Sequence, residues 1–212
     1  MSVLVFADST DGKFKKTAFE VVSYGKKVAE QLATNVVVVT INATDATELY
    51  AYGAEKVLAV SNEGLSTFNA KEYAAVLAQA ASKENATIVV VDSSINGLYL
   101  SPLVAVSLEA GYASNTVSEP SSINPFTVKR KAFSNKAFSN TIISTNKKVI
   151  GLAKNSFGIH ESPVVGTLEA FDATIAASGV KSESVERITG KVTIADADTV
   201  VSAGRGLKGP EN

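Results

Sequence analysis

The chain has 212 residues, in which 20 lysines and arginines nearly balance 21 aspartates and glutamates, so no overall field draws it to nucleic acid or an anionic membrane. Cysteine is absent, which excludes disulfides, thiolate catalysis and cysteine-bound zinc or iron–sulfur clusters, and suits a reducing compartment. The length allows a sizeable core, as one large or two small domains. Residues 1–7 lack the basic region and cleavage signal of a secretory peptide, and no apolar run reaches membrane-spanning length. These features predict a cytoplasmic protein.

In chain order, short apolar runs rich in β-branched residues occur at residues 3–7, 36–41, 56–60, 87–92 and 148–152, and they read as buried strands. Between the first two, Ala18, Val21, Val22, Val28, Ala29 and Leu32 recur at helical spacing, with Lys26, Lys27 and Glu30 on the other side. That predicts a crossover helix over residues 17–32. Residues 45–52 and 71–83 repeat the pattern, and Pro102 suits an early turn of a helix ending at Leu108. The alternation of strand and helix predicts an α/β fold, with a parallel sheet covered on both faces.

After Gly111 the pattern changes. Residues 126–132 and 137–144 alternate like an antiparallel pair, joined through Ser134, Asn135 and Lys136, and the hairpin is expected at the sheet edge. Residues 154–179 are rich in Ser, Ala and Gly and read as connector more than core. After Ser182 another strand-like stretch leads into residues 193–198, and a fresh apolar strand at residues 199–202 enters Gly204-Arg205-Gly206.

The polar residues allow few chemistries. His160 has no second histidine or carboxylate at ligand spacing, so a surface or capping role is expected. Asp8 and Asp92 end the first and fourth predicted strands, where doubly wound sheets present ligand-binding groups and where carboxylates also cap helices and turn loops. The loop over residues 93–97 could offer free N–H groups to a phosphate, but it has one glycine and neither a Walker lysine nor GxGxxG. Asp11-Gly12 is chiefly a turn former. No catalytic constellation and no metal-ligand set emerges, so an enzyme is not expected. In the terminal loop the glycines permit close backbone approach, and Arg205 can present a cationic fork to a phosphate or flavin edge.

The run Val200-Val201-Ser202-Ala203-Gly204-Arg205-Gly206-Leu207-Lys208-Gly209-Pro210-Glu211-Asn212 closely resembles the motif that opens the flavin domain of electron transfer flavoprotein alpha subunits. Val3-Leu4-Val5-Phe6-Ala7 resembles that family's first strand, and Gly53-Ala54-Glu55-Lys56-Val57-Leu58 resembles its turn into the third. Asn96-Gly97 through Pro102 looks like its Gly-x-Asp-x-x-Pro-Arg segment, with Tyr99 for the acidic residue and Leu103 for the arginine. Phe133-Ser134-Asn135-Lys136 stands for its aromatic-Ala-Gly-Asn core.

The resemblance implies a Rossmann-like three-layer sandwich of the adenine nucleotide alpha hydrolase type. It divides the chain into an amino-terminal α/β domain (1–182), a connector (183–198) and the first residues of a truncated FAD-binding domain (199–212). It further implies a heterodimer with a beta subunit, carrying one FAD held mainly by the second alpha domain. Such a complex takes electrons from flavoprotein dehydrogenases and passes them to an acceptor. Arg205 aligns with an arginine that contacts FAD, and this fragment alone is expected to hold no cofactor. The amino-terminal domain is then scaffold and beta-subunit interface. The alternative is a free-standing adenine-nucleotide-binding domain with its ligand near Asp8, Asp92 and Gly97.

Overall fold

A computed structural model of the chain describes residues 1–176, 178–180, 182–186, 194, 197 and 199–209. They fall into two compact units, Met1–Val180 and Lys181–Asn212. The first unit contains, in order, β1 (Ser2–Phe6), α1 (Lys16–Gln31), β2 (Asn35–Ile41), β3 (Lys56–Val60), α2 (Ala70–Lys83), β4 (Ala86–Asp92) and α3 (Ile95–Leu108). It continues with β5 (Gly111–Thr116), β6 (Phe126–Ala132), β7 (Ala137–Ile142), β8 (Lys148–Leu152) and β9 (Thr167–Ala170). The strands form one sheet in the order β7-β6-β5-β8-β4-β1-β2-β3-β9. From β5 to β9 all neighbours pair in parallel, whereas β6 runs antiparallel to both β5 and β7.

Alternation along the strands explains the three layers. Val3 and Val5, Val36 and Val38, and Ile88 and Val90 point to one face, where Val21, Val22 and Val28 of α1 cover them. Leu4, Val37, Val39, Val89 and Val91 point to the other, under Val76 and Leu77 of α2 and Leu100 and Val104 of α3. Strands buried on both faces read as continuous apolar runs because neither register position meets water. Helix α1 approaches β1 so closely that a Cβ on Gly25 would lie 2.3 Å from Val5 Cγ2. Asn69 caps α2 by accepting from the Lys71 and Glu72 N–H groups.

The predicted strands at residues 3–7, 36–41, 56–60, 87–92 and 148–152 all form, and the hairpin occupies one sheet edge. Four expectations are corrected. Residues 45–52 yield only a 3₁₀ turn, Thr47–Tyr52, stopped by Gly53 at φ 100°. Pro102 lies inside α3 rather than in its first turn, because the helix begins at Ile95 with Ser94 as its cap.

The predicted connector over residues 154–179 contributes to the compact unit. Its β9 takes the open edge of β3, and Phe171 is buried against α2. Gln79 then brackets Thr174, donating to its carbonyl at 2.8 Å and accepting from its N–H at 2.9 Å. Backbone pairing holds this segment, so its weak apolar pattern gave no signal.

In the second unit, residues 199–202 form no strand: no neighbour pairs with them among the described residues, and Val201 is 94% exposed. Arg205–Leu207 is a 3₁₀ turn. Most of the strand-like stretch leading through residues 193–198 lies outside the described residues.

Candidate functional site

The chain leaves β1 toward β2 on one side and later returns to place β4 on the other, so the switch point lies between β1 and β4. Crevices beyond the carboxyl ends of such strands are the usual ligand sites of open α/β sheets. Three residues singled out from the sequence meet there. Asp92 ends β4; its Oδ1 accepts from Ser94 Oγ at 2.8 Å, and Ser94 Oγ in turn accepts from the Gly97 N–H at 3.1 Å. Asn96, beside Gly97, hydrogen-bonds Asp8.

The electrostatics of this crevice oppose an anion. Burial, followed by the neighbouring charge of Asp92, pushes the Asp8 carboxyl up to about 6. Burial also raises Asp92, against the opposing pull of Ser94 and Lys154. Asp8 feels the charge of Asp92, and Asp92 that of Glu20, with Lys15 and Lys154 pulling the other way; each of these carboxyls repels a phosphate at the strand ends once it is ionised.

The sequence reading missed a second feature at the same end of the sheet. Glu20 of α1 is 3% exposed, and it accepts four successive backbone hydrogen bonds from the loop after β8. Its Oε2 takes the Asn155 N–H at 2.9 Å, and its Oε1 takes those of Ser156 at 2.9 Å, Phe157 at 2.9 Å and Gly158 at 3.0 Å. Consecutive N–H groups converging on one point make an anion cradle. Here the anion is the protein's own carboxylate. Around the α1 axis Glu20 lies opposite the apolar stripe, so helical periodicity assigns it to solvent; only a loop about 135 residues later covers it.

His160 extends the same clamp. Its N–H donates to Ser23 Oγ, and that hydroxyl donates to the His160 carbonyl, each at 3.0 Å. The imidazole packs edge-on against Phe157. The bonds to Ser23 are main-chain, and the exposed ring places Nε2 3.1 Å from the Phe157 carbonyl, so of the two roles expected the side chain takes the surface one. Asp11 and Gly12, with φ 52° and 79°, turn the short Ser9–Thr10 and Lys13–Phe14 ladder. Arg205 is exposed in its 3₁₀ turn. Among the described residues no group of three histidines or carboxylates could hold a metal ion, and no helix is long and apolar enough to cross a membrane.

Parallel strands with helices on both faces, a switch point between β1 and β4 and an antiparallel hairpin at one edge define a Rossmann-like three-layer α/β domain. The family model for the electron transfer flavoprotein domain matches residues 3–189, and the chain belongs to that family. It is 27% identical over 214 residues to the electron transfer flavoprotein subunit alpha of Bacillus subtilis (strain 168), covering 99% of this chain and 66% of that protein. It is 27% identical over 214 residues to the alpha subunit of Syntrophomonas wolfei, and 25% identical over 225 residues to that of Clostridium acetobutylicum, with 98% and 99% of this chain covered. The chain spans 66% of the length of these relatives.

Proposed function

We propose that this chain is the amino-terminal domain of an electron transfer flavoprotein alpha subunit, with residues 199–212 leading into an FAD-binding domain. The complete complex would shuttle electrons from flavoprotein dehydrogenases to a downstream acceptor. Within it, the unit Met1–Val180 serves as scaffold and as interface for the beta subunit, and Arg205 contributes one flavin contact. The observation that carries this reading is the family match over residues 3–189, joined by alignments to alpha subunits across nearly the whole chain. An electron carrier of this type needs no acid, base or nucleophile of its own, because the flavin supplies the redox chemistry and the protein sets its surroundings. The carboxylate-lined crevice and the filled cradle fit such a scaffold.

The same two features argue against the alternative, an adenine-nucleotide-binding domain. A phosphate entering at the strand ends would meet Asp8 and Asp92, and the four N–H groups best arranged to receive it already hold Glu20.

Purification settles both readings. The chain expressed alone is expected to be colourless and to form a one-to-one complex with the beta subunit. A stoichiometrically flavinated yellow chain overturns the scaffold role. In calorimetry at millimolar AMP or ATP no heat is expected, and saturable binding reinstates the nucleotide reading.

A further inference from the structure

The two edges of the sheet are finished differently. At one edge β9 is four residues long and carries Glu169, which pairs with Lys56 at 2.7 Å and also with Lys83. Charge and shortness are the usual means of keeping an edge from recruiting a foreign strand. At the other edge β7 pairs, among the described residues, with β6 alone, in a register that runs unbroken from Ala137↔Ala132 to Ile142↔Thr127. Its sequence, Ala-Phe-Ser-Asn-Thr-Ile, contains no charge and no proline. Nothing in it blocks a further strand.

Cross-strand register also fixes what surrounds this edge. Residues opposite each other share a face, so Phe138, Asn140 and Ile142 of β7 lie on the same face as Lys131, Lys129 and Thr127 of β6. Phe138 and Ile142 are 61% and 59% exposed, and Lys129 Nζ sits 4.6 Å from the Phe138 ring centre. From Pro120 to Lys148 the chain has six lysines and arginines and no aspartate or glutamate, although the whole chain carries a net charge of −1. Positive charge is therefore concentrated around an open, partly apolar edge.

We infer that β7 is a docking edge for a strand of an acidic partner protein, which extends the sheet by main-chain pairing. Phe138 and Ile142 pack against that strand, and Lys129 and Lys131 face its carboxylates. A second copy is a poor occupant, because pairing β7 with itself would bring together two hairpins of the same positive sign. A nucleic acid would meet the lysines but leave the open row of N–H and C=O groups unpaired. The acidic partner is identified as the beta subunit only through the function proposed above.

Hydrogen exchange on the full chain with its beta subunit tests this, alongside a synthetic strand peptide of alternating valine and glutamate. The expected result is protection of the β7 amides. Asn140→Glu, or the pair Lys129→Glu and Lys131→Glu, is expected to weaken binding about tenfold, with unchanged circular dichroism. The exposed Asn140 and Lys129 and the half-buried Lys131, changed in two separate designs, guard against a misfolded variant. Beta-subunit binding without β7 protection, and at full strength in the variants, overturns the docking edge while leaving the heterodimer standing. Failure of the beta subunit to bind overturns the heterodimer, and the docking edge falls with it only if the acidic peptide also leaves β7 unprotected. Protection that depends on chain concentration alone, or arises only with RNA or phosphatidylserine vesicles, overturns the inference.

Discussion

A Cβ built on Gly97 would lie 1.9 Å from the carbonyl oxygen of Asp92 and 2.6 Å from its Oδ1. The first turn of α3 therefore presses directly onto the end of β4, and only a residue without a side chain fits between them. Gly97→Ala is expected to force the helix start away from the strand, at a cost of about 2–3 kcal/mol. Urea denaturation measures it; a loss below a few tenths would mean that the contact relaxes freely.

Replacing Glu20 by Ala leaves four converging N–H groups without their acceptor. A loss of about 2–4 kcal/mol is expected, with faster hydrogen exchange over residues 155–158. Formate or acetate should restore part of the lost stability in the Ala variant and have no such effect on the parent protein. An absence of rescue would show that the loop refolds around something other than an anion.

Asp8 gives a pH signature. Its carboxyl titrates near 6 in the folded protein against an ordinary 3.8, so between those values the folded state binds the proton more strongly than the unfolded chain. Its contribution to stability is greatest at the acid end and is lost as pH rises from about 4 to about 6. Asp8→Asn is expected to flatten this slope and to gain about 1–2 kcal/mol at neutral pH. Chemical melts at a series of pH values would show an unchanged slope if the Asp8 carboxyl were solvated.

Arg205 is exposed within its turn. Arg205→Ala should leave the unfolding free energy of the chain within about 0.5 kcal/mol of the parent, yet lower FAD retention in the flavin-bearing complex. Equal retention by parent and variant would remove Arg205 from the flavin site.

The sequence revealed those parts of the fold whose signal is local. Runs such as Val36 to Val39 are apolar at every position because both faces of β2 are covered, and they stand out without any partner in view. Strand β5, Gly-Tyr-Ala-Ser-Asn-Thr, does not stand out, because only Ala113 and Thr116 of its residues are buried. Strand β9 and the Thr174 arm are held by main-chain bonds to β3 and by Gln79, which leave no periodic trace. Of the candidate site, Asp8, Asp92 and Gly97 were legible from their positions at predicted strand ends. The role of Glu20 was hidden because helical spacing marked it as solvent-facing and its partners lie far along the chain. The apolar residues at 199–202 carried the opposite lesson, since strand propensity without a neighbour to pair with produced no strand.

The Glu20 clamp makes one helix residue the organiser of a distant loop. An anion fixed on a helix is presented to the cradle at a high effective concentration. The loop after β8 thus takes its shape from a carboxylate that the chain itself supplies.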